Sequence, residues 1–204
     1  MTTLTYNARG DVLTQSYNVD ADSIVDRIRS YTYDSANKLT LISVDSDVDG
    51  RGDTVSSFTY DANGYTATQV DDTNNDGEAD AIYRFVNDGI GSVLSESVDL
   101  DADGTADETT NQTYDANGKL LRVNYSDDGG SATDYVINFT HDANGNLLTK
   151  NNGRFSYIRT FSYDADGNEV TNSIDSNADG TVNGTYTSEA GDTTINHFFI
   201  GGDG

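Results

Sequence analysis

The chain has 204 residues, 35 acidic against 11 basic side chains, a net charge of −24, and neither cysteine nor proline. So acidic a surface repels nucleic acid and anionic lipid, which excludes both as expected partners, and without thiols there are no disulfides and no thiolate metal sites. Leu, Ile, Val and Phe together number only 41, which with this charge borders on the composition of disordered chains, so something besides an apolar core must hold the fold.

There is no apolar run long enough to cross a membrane and no signal peptide. The chain begins almost directly on a strand, which reads as a mature form or an excised segment of something longer. That first strand ends at Leu4-Thr5-Tyr6, and Arg9-Gly10 turns the chain into a second strand at Val12-Leu13. An acidic stretch, Asn18 to Asp26, then reverses it.

The same order recurs. Strands end at Tyr33, Tyr60, Asn87, Tyr114, His141 and Tyr163, a step of 27 residues that shortens to 22 only at the last. A strict period of this length means one supersecondary unit stacked on copies of itself. Two places before the Tyr stand Leu4, Tyr31, Phe58, Phe85, Gln112, Phe139 and Phe161, and residues two apart share one face of a strand. Turn dipeptides follow at Asn63-Gly64, Asn117-Gly118, Asn144-Gly145 and Asp166-Gly167, which accept positive φ in a tight hairpin. The second strands lie at Leu39 to Val44, Val93 to Val98, Leu120 to Tyr125 and Leu147-Leu148.

The predicted fold is all-β: an elongated array of about seven antiparallel hairpins forming a continuous twisted or spiralling sheet. One repeat domain spans 1–184, with repeats at about 4–30, 31–57, 58–84, 85–111, 112–138, 139–160 and 161–184. Residues 185–204 form a C-terminal strand, cap or assembly segment, in which Thr194 to Ile200 is apolar.

The acidic loops carry the chemistry. Their pattern is Asp-x-Asp-x-Asp-Gly-x-x-Asp, cleanest from Asp45 and from Asp99. Carboxylates at places 1, 3 and 5 converge when the chain curls, the Gly at 6 permits the turn, the carbonyl at 7 points inward and the residue at 9 closes the shell. Such an all-oxygen set selects Ca²⁺. Five sites are expected. Their ligands are Asn18, Asp20, Asp22, Ile24 and Asp26; Asp45, Asp47, Asp49, Arg51 and Asp53; Asp72, Asn74, Asp76, Glu78 and Asp80; Asp99, Asp101, Asp103, Thr105 and Asp107; and Asp175, Asn177, Asp179, Thr181 and Asn183. The loops from Asp45, Asp72 and Asp99 are expected to bind first. The fifth repeat keeps only Ser126, Asp128 and Asp134, and the sixth lacks the loop. The pattern resembles the calcium hairpins of integrin α-subunit propellers, with a weaker similarity to dockerin and thrombospondin calcium repeats. The Glu that closes an ordinary EF-hand at place 12 is missing.

The phrases Tyr114-Asp115-Ala116-Asn117-Gly118-Lys119-Leu120 and Tyr33-Asp34-Ser35-Ala36-Asn37-Lys38-Leu39-Thr40 resemble the YD, or RHS, repeat, over nearly the whole chain to about Glu169. The resemblance implies a spiralling β-sheet that in bacterial toxins and teneurins closes into a hollow shell. The 22-residue copy is near the family's unit length, so the others read as that unit with a calcium loop inserted. The Pro-containing motif that ends toxin shells is absent.

Arg9-Gly10-Asp11 and Arg51-Gly52-Asp53 spell the integrin-binding tripeptide, by coincidence in a chain so rich in Gly-Asp. With no Cys, two isolated His and no Ser-His-Asp arrangement, catalysis has little support. The expected function is a non-enzymatic, secreted, calcium-stabilised structural protein: part of an adhesin, matrix fibre or filament, with head-to-tail self-assembly through its end strands. The alternatives are a glycan-binding module and a fragment of a YD-repeat toxin shell.

Overall fold

The computed structural model describes residues 1–20, 22–130, 133–187 and 196–198. All ordered elements among them are strands, as the repeat predicts. The chain divides into two compact units, Met1–Glu108 and Thr109–Gly204.

In the first unit β1 (Thr2–Tyr6), β2 (Val12–Tyr17), β3 (Arg27–Tyr33), β4 (Leu39–Asp45), β5 (Thr54–Tyr60), β6 (Thr66–Asp72), β7 (Ala81–Asn87) and β8 (Val93–Asp99) follow one another. Each pairs antiparallel with the next. The second unit repeats the plan with β9 (Glu108–Tyr114), β10 (Leu120–Ser126), β11 (Tyr135–His141), β12 (Leu147–Asn152), β13 (Tyr157–Tyr163), β14 (Glu169–Asp175), β15 (Gly184–Thr187) and β16 (Asn196–Phe198), again a meander in chain order. Of the apolar segment Thr194 to Ile200, only the backbone of β16 lies within the described residues.

The turns differ from a tight two-residue hairpin. In the second repeat's successor, Gly64 N donates to Asp61 O at 3.0 Å and Asp61 N to Tyr65 O at 2.9 Å. Only Gly64 takes positive φ, at 93°, while Asn63 does not. The Asp after the Tyr governs the turn: Asp61 Oδ1 accepts the amides of Asn63 and Tyr65, each at 2.9 Å. Asp34, Asp88, Asp115, Asp142 and Asp164 do the same in their repeats, and Asn7 does it with a neutral amide. These bonds hold several carboxyls below the usual range. The leading cause is the Ile90 amide at Asp88, the Lys119 amide at Asp115, the Asn146 amide at Asp142 and the Asn168 side chain at Asp164.

One extra residue on the returning strand opposes each repeat Tyr. Tyr33 faces Leu39 while Thr32 faces Leu41, and the same shift recurs at Tyr60, Asn87, Tyr114, His141 and Tyr163. Such a bulge turns the strand locally and re-aims the side chain opposite it.

No hydrophobic side chain among the described residues is fully buried. The buried residues are Asp45, Asp99, Ser126, Asn152 and Asp175, all polar. Each is the last residue of a returning strand, β4, β8, β10, β12 or β14. Four of these five open an acidic loop or its remnant, and Asn152 opens the shorter connection of the sixth repeat.

Candidate metal centre

Each acidic loop is closed at its neck by its ninth residue. The amides of Asp26, Asp53, Asp80, Asp107, Asp134 and Asn183 donate to the carbonyl just before the loop, at 2.6 to 2.9 Å. Their side chains in turn accept the amide of the loop's second residue: Asp26 from Val19, Asp53 from Ser46, Asp80 from Thr73, Asp107 from Leu100, Asp134 from Asp127 and Asn183 from Ser176, at 2.6 to 2.7 Å. The Thr73 hydroxyl is the main reason the Asp80 carboxyl lies below its ordinary value.

Inside the neck the acidic residues turn the chain on themselves. Place 3 accepts the amide of place 5: Asp20 from Asp22, Asp47 from Asp49, Asn74 from Asp76 and Asp101 from Asp103. Place 5 accepts the amide of place 7: Asp22 from Ile24, Asp49 from Arg51, Asp76 from Glu78, Asp103 from Thr105 and Asp179 from Thr181. Place 1 reaches across to the Gly at 6, so Asp45 accepts from Gly50, Asp72 from Gly77, Asp99 from Gly104 and Asp175 from Gly180. Those glycines have φ between 92° and 95°, a region barred to most residues by the Cβ. In the first loop Ser23 adopts 74° instead. Place 4 is left-handed too, at Val48, Asn75, Ala102 and Ala178.

The result differs between loops. Among the described residues, carboxylate oxygens of Asp45, Asp47 and Asp49 lie within 4.8 Å of one another, as do those of Asp99, Asp101 and Asp107. Asp53 and Asp103 belong to the same loops but serve mainly as strap and turn. In the third loop Asn74 interrupts the acidic set, and Asn75 Nδ2 donates to Gly52 O of the preceding loop at 2.6 Å. In the last, Asn177 Nδ2 donates to Asp179 and Asn183 replaces the closing acid. In the first, Ala21 at place 4 lies outside the described residues. In the fifth repeat, Ser126 takes the first place and its hydroxyl meets Asp128 at 2.5 Å, while residues 131–132 are outside the described set.

Sequence reasoning missed one neighbour. Arg84 on β7 places Nη1 3.7 Å from Asp99 Oδ2. Its counterparts one and two repeats earlier are Ser57 and Ser30. The signal was available as a break in a column of small polar residues.

Nothing arranged like a nucleophile and its base appears at these positions. Asp11, in the first Arg-Gly-Asp, accepts the side-chain amides of Asn37 and Asn7, which lower its pKa, so it belongs to the turn.

No family model matches the chain, and no curated protein matches it. Solved structures do. A chain of the TcdB2-TccC3-Cdc42 structure superposes with a TM-score of 0.69 at 19% identity, over 91% of this chain and 10% of that one. A TcdB2-TccC3 chain gives 0.67 at 18% identity, with the same coverage. The Photorhabdus luminescens Tc holotoxin pore, with a TccC3 mutation, gives 0.66 at 19% identity, over 91% of this chain and 9% of that one. At such identity the likeness is one of fold, and the chain spans about a tenth of the length of those it matches. The shared fold is an antiparallel β-repeat sheet, consistent with the resemblance of the Tyr-Asp phrase to YD-type repeats.

Proposed function

We propose that this chain is a non-enzymatic structural segment: a stretch of YD-type β-repeat sheet, ordered outside the cell by Ca²⁺ in its acidic loops, and part of the wall of a larger shell. One observation carries the structural role. The residues that repeat are largely the residues that hold backbone: the Tyr-slot groups of Tyr33, Tyr60, Asn87 and Tyr163 donate to main chain of the preceding hairpin, and the Asp after each Tyr slot accepts main-chain amides of its own turn. Repeated groups engaged in this way support a structural role over a catalytic one. The fold shared with toxin chains over most of this chain supports a shell wall over an adhesin or matrix fibre, and a segment needs no closure of its own.

Calcium fits the absence of a fully buried apolar side chain among the described residues. With each site tenfold above its dissociation constant, linkage contributes about 1.4 kcal/mol per site, against roughly 5–15 kcal/mol for a whole domain. Loops of the extracellular class bind at about 10⁻⁴–10⁻³ M, which supports a location outside the cell. The test is thermal melting followed by circular dichroism in Ca²⁺, in Mg²⁺ and in EDTA. A curve lowered by EDTA and restored by Ca²⁺ but poorly by Mg²⁺ is expected. A curve indifferent to EDTA overturns the calcium role, and micromolar binding on a glycan array overturns the structural one.

A further inference from the structure

The first residue of each loop behaves in two ways. Asp72 has both oxygens occupied, Oδ1 by the Asp76 amide at 3.2 Å and Oδ2 by the Gly77 amide at 3.0 Å. Asp175 likewise accepts the Asn177 and Asp179 amides on Oδ1 and the Gly180 amide on Oδ2. Asp45 and Asp99 differ. Their Oδ2 atoms accept from Gly50 at 3.0 Å and Gly104 at 3.1 Å. Their Oδ1 atoms are buried and have no hydrogen-bond partner; the same holds for the amide oxygen of Asn18, which heads the first loop, but that oxygen is neutral and its loop gathers no acidic triad among the described residues. Asp99 is wholly buried and Asp45 is 9% exposed.

A carboxylate oxygen taken out of water is unfavourable unless a donor or a cation meets it. The donors nearby are already engaged: the Asp103, Thr105 and Leu100 amides bond to Asp101, Asp103 and Asp107. Beside each of these buried carboxylates is more oxygen: one carboxylate oxygen from each of Asp45, Asp47 and Asp49 lies within 4.8 Å of the other two, and the same holds for Asp99, Asp101 and Asp107. Oxygens gathered at this distance, on a residue that also carries a buried unpartnered one, are the donor set of a hard divalent cation.

We infer that the Asp45 and Asp99 loops are two built Ca²⁺ sites, each with the buried Asp as its innermost ligand, and that the other loops are not sites of this kind. The inference rests on the calcium reading above and narrows it, since the third loop, expected from its sequence to bind with the best, drops out. It also ranks the two sites. Arg84, 3.7 Å from Asp99 Oδ2, is a tethered cation competing for the same carboxylate, whereas the neutral Ser30 holds the equivalent place across the strand pair from Asp45. The Asp45 site is therefore the tighter of the two, and removing Arg84 brings them level.

Isothermal titration of the whole, chelator-stripped chain with CaCl₂ tests this. Two tight sites are expected, with any further heat at least tenfold weaker in affinity. Asp99→Asn removes one of them. Asp101→Asn, at an exposed ligand, weakens the same site at least tenfold with an unchanged far-ultraviolet spectrum, which keeps the test open if the buried variant does not fold. Asp76→Asn in the third loop leaves both tight sites as they were, and Arg84→Ser tightens one. Five equal sites, or an Asp76→Asn effect equal to that of Asp101→Asn, overturn the inference while leaving the calcium reading intact. No heat at millimolar CaCl₂ overturns both. MgCl₂ binding as tightly as CaCl₂ overturns the assignment of the ion.

Discussion

The hydroxyl of Tyr60 donates to the carbonyl of Leu39, 21 residues earlier, at 2.6 Å. Tyr33 makes the same bond to Val12 at 2.9 Å, and Asn87 substitutes its amide to reach Thr66 at 2.8 Å. Burial pushes the Tyr33, Tyr60 and Tyr163 phenols up, as befits hydroxyls that serve as donors. The bond runs from one hairpin to the hairpin before it, so the repeat Tyr is a rivet between units rather than a ligand-binding group.

Tyr60→Phe therefore leaves a part-buried carbonyl without its donor and is expected to cost about 1 kcal/mol. Tyr6→Phe, at a residue 53% exposed, is expected to cost nothing measurable. Paired thermal melts of the two variants check the difference.

The Asp caps make stability depend on acid. Asp11, Asp80, Asp88, Asp115, Asp142, Asp164 and Asp179 all have lowered pKa values. A carboxyl with a depressed folded-state value stabilises fully above its unfolded value, about 3.9, and loses that contribution as pH falls through the folded value. Asp127, pushed up by the side chain of Asp134, works in the opposite sense at one position. In EDTA the melting temperature is expected to be level from pH 7 to 5 and to fall below about pH 4. Converting Asp88, Asp115, Asp142 and Asp164 to Asn, the residue that already caps the first turn, flattens that acid limb.

Val48 sits at φ 61°, a left-handed conformation that a β-branched side chain resists. Asn75 holds the same place in the next loop at 52°. Val48→Asn is expected to stabilise by about 1 kcal/mol, whereas Gly104→Ala, at φ 95° with nothing within 4 Å of the added Cβ, destabilises by about as much through the backbone alone. Chemical denaturation of both variants in Ca²⁺ measures it.

β1 is exposed at every position and pairs on one side only within its unit. In the isolated 204-residue chain such an edge is open to pairing with another copy. Electron microscopy in millimolar Ca²⁺ is expected to show end-to-end assemblies, and Leu4→Lys to disperse them. Monodisperse particles of the parent chain at high concentration speak against assembly through this edge.

Much of this was legible in the sequence, because a 27-residue step places equivalent residues without any knowledge of packing. The strands, their order and the position of the Asp-rich loops follow from it. The turn was misjudged as a two-residue hairpin because Asn-Gly dominates the local signal, whereas Asp61 engages amides two and four residues on. The loops could not be ranked from carboxylate counts, since Asp72 and Asp99 are the same residue in the same place. What separates them is whether a second amide reaches Oδ1, as that of Asp76 does at Asp72 and none does at Asp99. Arg84 went unnoticed because its partner lies across a strand pair.

The short repeat shows how little the array depends on its length. Tyr163 still reaches a neighbouring carbonyl, that of Leu147 at 2.9 Å, although only 16 residues separate them instead of 21. Excising a loop thus leaves the rivet in place. Since the hydrogen bonds described above each join a hairpin to itself or to its immediate neighbour, whole units are interchangeable parts. A gene encoding this chain is free to gain or lose whole copies, and each rearrangement yields a sheet whose new joints form by the same contacts as the old.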